Sequence, residues 1–198
     1  MIQRRSKSFS LDRLVKVAIL ASISYLLMFV QMPIPIAPPF MKVDLADVPA
    51  LIGGFAMGPW YGVLIQLIKN VLNLSKTMTW GVGELSNFVV GSTFVLVSSL
   101  IYRNKKTRKN SVLALVLGIV AMSAVATLSN AFVVFPIYGE VMNLELEAFA
   151  AMIPGNNLVS NYFTMMVFAV APFNLIKGAV EAIITQLLYK RISPILKF

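Results

Sequence analysis

The sequence predicts an all-α membrane protein, a single bundle of six transmembrane helices with a ligand pocket that opens to the outside. The first observation is composition: 58% of the 198 residues are hydrophobic and only 13% are charged. A soluble domain carries about 25% charge. The second is position, because the positive charges collect at the edges of apolar runs, as the positive-inside rule expects. We therefore expect one multi-pass domain over residues 1–198 in the cell membrane.

The formal net charge of +9 would also suit a nucleic-acid-binding protein, but its distribution excludes this class. One basic group precedes or opens the first apolar run, a second fills a short loop, and a third closes the chain. These groups are Arg4, Arg5, Lys7, Arg13 and Lys16, then Arg103, Lys105, Lys106, Arg108 and Lys109, then Lys190, Arg191 and Lys197. Residues 1–13 are therefore predicted as a cytoplasmic arm and residues 103–110 as a cytoplasmic loop.

The residue types that most enzymes need are missing. The chain has no cysteine and no histidine, which excludes disulfides and thiolate metal sites and removes the commonest general base. Walker, HExxH, GxSxG and GxGxxG motifs are absent as well. We expect a protein that is not an enzyme and that holds neither a metal nor a cofactor.

The order of apolar runs gives the six spans. Residues 14–30 form the first, and a proline-rich stretch, 31–40, cannot continue as a regular helix. Runs 47–57 and 60–74 are separated by Gly58 and Pro59, so they are predicted as two short helices. Runs 85–102, 112–135 and 158–189 follow, the last with a kink at Pro172, and residues 136–157 are predicted as a loop with a short interfacial helix. Both basic segments should be cytoplasmic, so an even number of spans, here four, must separate them. Two more spans follow the basic loop, and both termini are then predicted to be cytoplasmic.

Small residues mark one side of the first helix. Ala18, Ala21 and Ser22 have helical spacing, and small side chains let a second helix approach closely in lipid. Their spacing fits either internal packing or docking to a separate membrane subunit.

Polar residues within the apolar runs are candidates for a solute site, because a charge at mid-membrane costs about 2.5–3.5 kcal/mol. Asn174 and Lys177 share a helix face, and Lys177 can also pair with Glu181. A solute clamp and a structural ion pair are both open, and Asn130 has the same ambiguity between ligand contact and helix packing.

Three further groups of residues are candidates for structural or ligand-binding roles. Asp47 and Lys69 are predicted to pair between the two short helices. Glu84 and Asn87 lie one turn apart at the mouth of the fourth span, as rim residues or as a helix cap. The outer loops are rich in large side chains that suit either a pocket for a planar heterocycle or an interfacial belt; these are Phe40, Met41, Trp80, Tyr138 and Tyr162.

Several segments of the chain resemble those of a known family of membrane proteins. The segments FMKVDLADVPALIGG, GPWYGVLIQLIKNVLNL and NLIKG, with a basic arm and a basic loop, are similar to the substrate-binding S components of energy-coupling factor (ECF) vitamin transporters, and most similar to the riboflavin-specific members. The resemblance implies high-affinity riboflavin binding as part of ATP-driven uptake. It also implies a transmembrane coupling subunit and two cytoplasmic ATPase subunits as partners.

The resemblance also implies roles for particular residues. Ala18 and Ser22, with Ala21 nearby, would dock the coupling subunit, although a serine replaces the second alanine of the family's motif. Asn130, Asn174 and Lys177 would meet the polar edge of the flavin ring. The lid would be formed by Met41, Lys42, Val43 and Asp44, and Glu84 and Asn87 would meet the ribityl hydroxyls. The alternatives are an S component for pantothenate, thiamine or biotin, a stand-alone carrier, or a membrane enzyme.

Overall fold

The computed structural model describes residues 11–77, 80–153 and 156–196, and nearly all of its regular structure is helical. The helices are α1 Leu11–Leu27, α2 Asp47–Met57, α3 Pro59–Asn73, α4 Val82–Asn104, α5 Arg108–Ser129, α6 Phe135–Met142, α7 Leu146–Ala151, α8 Tyr162–Met165 and α9 Ala171–Leu196. Arg4, Arg5, Lys7 and Lys197, and with them most of the predicted arm, lie outside the described residues.

Irregular helical turns connect several of these helices. A 3₁₀ turn, Leu74–Lys76, extends α3. The π-helical segment Asn130–Val134 joins α5 to α6, and a second one, Met166–Val170, joins α8 to α9. Each of two long helical stretches therefore contains one π-helical segment.

In the part of the chain that the structure describes, three helical stretches are long and apolar enough to cross a membrane. They are Val82–Asn104, Arg108–Met142 and Tyr162–Ile192. These stretches confirm the helical membrane architecture. With 17, 11 and 15 residues, α1, α2 and α3 are shorter, so the count of six spans stays a prediction.

The chain breaks between α2 and α3 where the sequence predicts it. Gly58 has φ 120°, a conformation that favours glycine, and its N–H still reaches Gly54 O at 3.0 Å. Pro59 then opens α3, where its missing N–H costs nothing. The two helices lie close together, because a Cβ at Gly62 would be 2.8 Å from the backbone oxygen of Ala50.

Helix α2 lies at the centre of the bundle. Every residue of α2 except Ala56 is buried, and the helix packs against α1, α3, α4 and α9. A helix that is apolar all round needs this position. The main core includes Leu51 from α2, Ile65 from α3, Phe94 from α4 and Leu115 from α5.

The predicted loop at residues 136–157 begins too early. The helix continues through Pro136 to Met142, because the π-helical segment ends at Val134 and the proline is the second residue of the α-helical turn that follows. Asn143, with φ 51°, ends that helix, and α7 is the short helix expected in the loop. Pro172, where a kink was expected, likewise follows a π-helical segment.

Candidate functional site

A cavity of about 360 Å³ lies among residues from distant parts of the chain. This volume is in the range of small-molecule sites. Its lining residues are Met28, Gln31, Phe40, Met41, Lys42, Asp44, Asn73, Lys76, Gly83, Glu84, Ser86, Asn87, Val90, Asn130, Val134, Tyr138, Phe173, Asn174 and Lys177.

One wall of the cavity is the proline-rich loop after α1. The loop is closed by two short antiparallel strands, β1 Met32–Pro33 and β2 Lys42–Val43. Before β2, the ring of Phe40 lies 5.6 Å from Phe135, 5.8 Å from Tyr138 and 6.1 Å from Phe149. This aromatic cluster fastens the loop to α6 and α7 and holds the segment from Phe40 to Asp44 against the cavity.

The charged part of the cavity wall is centred on Lys177 of α9. Its Nζ lies 3.6 Å from Asp44 Oδ1, 3.9 Å from Asp47 Oδ2 and 4.0 Å from Glu181 Oε1. Asp44 Oδ1 also accepts the N–H of Ala46 at 2.9 Å, which fixes the carboxylate. Lys177 is therefore shared among three carboxylates, whereas the sequence indicates a pair with Glu181 alone.

A second buried ion pair lies beside the first. Lys69 Nζ donates to Asp47 Oδ1, and both side chains are almost completely buried, which confirms the predicted pairing of the two short helices. Gln66 Nε2 donates to the same Asp47 oxygen at 2.9 Å. Asp47 thus connects the Lys69 pair to Lys177.

Two of the four asparagines that line the cavity, Asn130 and Asn174, bond to their own helices in the same way. Asn130 Nδ2 donates to Ala126 O at 2.7 Å, and Asn174 Nδ2 donates to Val170 O at 2.8 Å. Because each amide nitrogen serves a carbonyl four residues earlier, each Oδ1 is the natural acceptor for a ligand. Asn130 is the first residue of one π-helical segment and Asn174 lies one turn after the other, and such segments are frequent at functional sites.

Glu84 connects the rim of the cavity to the loop before α4. Its Oε1 accepts from Asn73 Nδ2 at 3.1 Å and its Oε2 from Thr77 Oγ1 at 2.9 Å. Glu84 lies in the first turn of α4, and Asn87, one turn later, lines the cavity as well. Both residues therefore belong to the cavity wall, and Glu84 also orders the connection between α3 and α4.

The cavity brings together all the sequence-predicted ligand residues except Val43. Val43 is 4% exposed and packs with Ala37 and Phe173. The lining of the cavity does not include Val43, and the part that the sequence assigns to it in the lid stays a prediction. Of the outer aromatic residues, Trp80 is 84% exposed, and Tyr162 donates to Ala131 O at 2.7 Å.

Sequence reasoning missed several lining residues. Asn73 and Lys76 follow Lys69 by four and seven positions, so helical spacing from that buried lysine is the signal that would have found them. Met28, Gln31, Ser86 and Phe173 carry no comparable signal.

The three small residues of α1 differ in their exposure. Ala18 and Ser22 are exposed, and Ser22 Oγ donates to Ala18 O at 2.9 Å. Ala21 is 0% exposed and packs in the main core. Docking through Ala21 is therefore wrong, and internal packing, the other interpretation, applies to it.

Comparisons with known proteins agree over nearly the whole chain. The family model described as "ECF transporter, substrate-specific component" matches residues 12–189. The chain is 35% identical over 185 residues to "Riboflavin transporter RibU" of Staphylococcus aureus (strain TCH60), covering 93% of this chain and 92% of that protein. It is 30% identical over 185 residues to "Riboflavin transporter FmnP" of Bacillus subtilis (strain 168), covering 92% of each.

A solved structure described as "Structure and mechanism of the S component of a bacterial ECF transporter" has the same fold. Its TM-score is 0.74 at 33% identity, and the match covers 94% of this chain and 98% of that one.

Proposed function

Because the chain belongs to the substrate-specific components of ECF transporters, a family of transporter subunits and not of enzymes, we propose that it binds riboflavin in this cavity. The bound vitamin is cargo and not a cofactor. The whole chain acts as one domain, the vitamin-recognition subunit of an ATP-driven uptake system. The observation that carries the proposal is the convergence of Asn130, Asn174 and Lys177 on one cavity beneath the loop that contains Lys42 and Asp44.

The chemistry of the cavity suits the flavin ring. The pyrimidine edge of the isoalloxazine offers one N–H donor flanked by two carbonyl acceptors. Within the described part of the chain, the amide oxygens of Asn130 and Asn174 are free to accept, and Lys177 can only donate. Met41 and Phe40 supply apolar cover, and Glu84 and Asn87 are placed to meet the ribityl hydroxyls. Val43 supports the lid from behind.

Tight binding requires that the ring be buried. Scavenging a vitamin at nanomolar concentration takes about −12 kcal/mol. Hydrogen bonds contribute roughly 1 kcal/mol each, so three or four supply only part of this. Burial of the ring under the loop that Phe40 anchors must therefore contribute most of the binding free energy.

Titration of the purified protein with riboflavin, followed by quenching of flavin fluorescence, tests this proposal. We expect saturable binding that Asn174→Ala weakens strongly and that Asn157→Ala, a change at an exposed asparagine outside the cavity, does not alter. Wild-type affinity in Asn174→Ala would remove this residue from the site. Displacement of the flavin by pantothenate, thiamine or biotin would contradict riboflavin specificity.

We also propose that both termini and the basic loop face the cytoplasm, while the cavity opens outward. The exposed basic residues from Arg103 to Lys109 support this orientation, and Ser111 Oγ, 2.6 Å from Gln186 Oε1, ties that end of α5 to the end of α9 near Lys190. Because the chain has no cysteine, single-cysteine labelling has no background. An impermeant reagent should label Glu145→Cys from outside and leave Thr107→Cys untouched; the reverse pattern would invert the topology.

In the same proposal, the exposed face at Ala18 and Ser22 docks the transmembrane coupling subunit, which joins two cytoplasmic ATPase subunits. Ala18→Trp should abolish co-purification with the coupling subunit and leave riboflavin binding intact. Ile183→Trp, at an exposed position of α9, is the control for bulk added to the lipid-facing surface. Riboflavin uptake that continues without any ATPase would favour a stand-alone carrier instead.

A further inference from the structure

Glu181 lies next to the charged wall of the cavity, and the riboflavin proposal assigns it no role. The side chain is 0% exposed, and within the described residues neither carboxylate oxygen has a hydrogen-bond partner. Its neighbour on the same helix face, Thr185, is also fully buried, with a hydroxyl that no described residue bonds. Unpartnered polar atoms this deep in a protein require an explanation.

The charges around Glu181 do not balance. The cluster joins three carboxylates, from the loop before α2, from α2 and from α9, to two ammonium groups, from α3 and α9. These groups are Asp44, Asp47, Glu181, Lys69 and Lys177. If all five were ionised, the cluster would carry one net negative charge inside the membrane, where an uncompensated charge is costly.

The contacts show which carboxylate is compensated least. Asp47 receives Lys69 and Gln66 as donors, and Asp44 receives the Ala46 N–H besides Lys177 at 3.6 Å. Among the residues that the structure describes, Glu181 has only the Lys177 ammonium at 4.0 Å, beyond hydrogen-bond distance. One added proton makes the cluster neutral, and Glu181 is the group that gains most from holding it.

We propose that Glu181 is a proton-binding site, a neutral carboxylic acid in the membrane interior beside ionised Asp44 and Asp47. The consequence for transport rests on the proposed function: a neutral Glu181 does not compete with a flavin carbonyl for the Lys177 ammonium. The lysine then balances Asp44 and remains available to the ligand.

Infrared spectroscopy of the ligand-free protein at neutral pH tests the site. We expect a carbonyl band of a protonated carboxyl group that shifts in D₂O, disappears in Glu181→Gln and persists in Glu145→Gln, the control at an exposed glutamate. A wild-type spectrum without such a band, or a band that Glu181→Gln leaves in place, would overturn the proposal.

A matched pair of variants gives a second readout. Glu181→Gln keeps the cluster neutral and should unfold at the wild-type temperature, whereas Asp47→Asn takes from Lys69 the carboxylate to which it donates and should unfold several degrees lower. The opposite order, or failure of Glu181→Gln to fold while Asp47→Asn folds, would overturn the assignment.

Riboflavin titration then separates this inference from the proposed function. Glu181→Gln should bind within about twofold of the wild-type protein, a difference well under 1.4 kcal/mol. A larger loss would mean that an ionised Glu181 supports binding, which contradicts a bound proton. If the wild-type protein does not bind riboflavin, the proposed function fails while the infrared result still decides the proton site.

Discussion

Replacing Lys177 by methionine is the sharpest test of the cavity, because it removes one ammonium group and keeps the length of the side chain. In the empty protein, Asp44 is 5% exposed and would lose the cation that lies 3.6 Å away. In the complex, the flavin would lose a charge-assisted hydrogen bond, which contributes about 1.5–3 kcal/mol. At about 1.4 kcal/mol for each factor of ten, the affinity should fall roughly ten- to a hundredfold.

The measurement is a riboflavin titration of the purified protein in detergent, read by fluorescence quenching, beside its unfolding temperature. Lys190→Met, at an exposed position of the same helix, is the control and should bind as the wild-type protein does. The double variant Asp44→Asn, Lys177→Met should regain part of the stability that the single variant loses, since the carboxylate that Lys177 balanced is then removed as well. A folded Lys177→Met protein with wild-type affinity would refute the assignment of Lys177 to the flavin.

Three further predictions concern the scaffold of the site. Lys69→Met breaks the buried pair with Asp47 and should lower the free energy of unfolding by about 3–5 kcal/mol; chemical denaturation in detergent measures this, and unchanged stability would show that the pair is dispensable. Gly62→Ala adds a methyl group against the backbone of α2 and should destabilise the protein by about 1–3 kcal/mol, which the same denaturation reports. Phe40→Ala should increase the riboflavin dissociation rate in stopped-flow experiments by loosening the loop, whereas Trp80→Ala, at an exposed ring, should not. Equal rates in the wild-type protein and both variants would show that the loop does not retain the ligand.

Local chemistry could be predicted from the sequence, because single residues dictate it. Gly58 and Pro59 break the helix by their own backbone preferences. The pairing of Asp47 with Lys69 follows from the cost of leaving either charge alone in an apolar segment. The convergence of Asn130, Asn174 and Lys177 follows from the same cost, since polar groups in lipid turn towards a shared interior.

Packing between distant segments could not be predicted in this way. Lys177 has a sequence neighbour, Glu181, at the right helical spacing, yet Asp44 lies closer to it because the loop folds over α9. Their helical spacing in the sequence predicts that Ala18 and Ala21 lie on one side of α1. A modest rotation of that helix about its axis decides which of them packs in the core. Pro136 is a helix breaker by composition, and only the π-helical segment before it lets the helix continue.

That π-helical segment also sets which side chains of the long helix meet the solute. Asn130 and Tyr138 both line the cavity although they are eight positions apart, a spacing at which a regular helix turns about 80° away from its starting face. The wider turn absorbs one residue, so these positions align as residues seven apart would. Deleting a single codon from this turn would restore a regular helix in which Tyr138, then seven positions after Asn130, still faces the cavity. Inserting one residue into an ordinary spanning helix can therefore create such a turn without losing a binding wall that already exists.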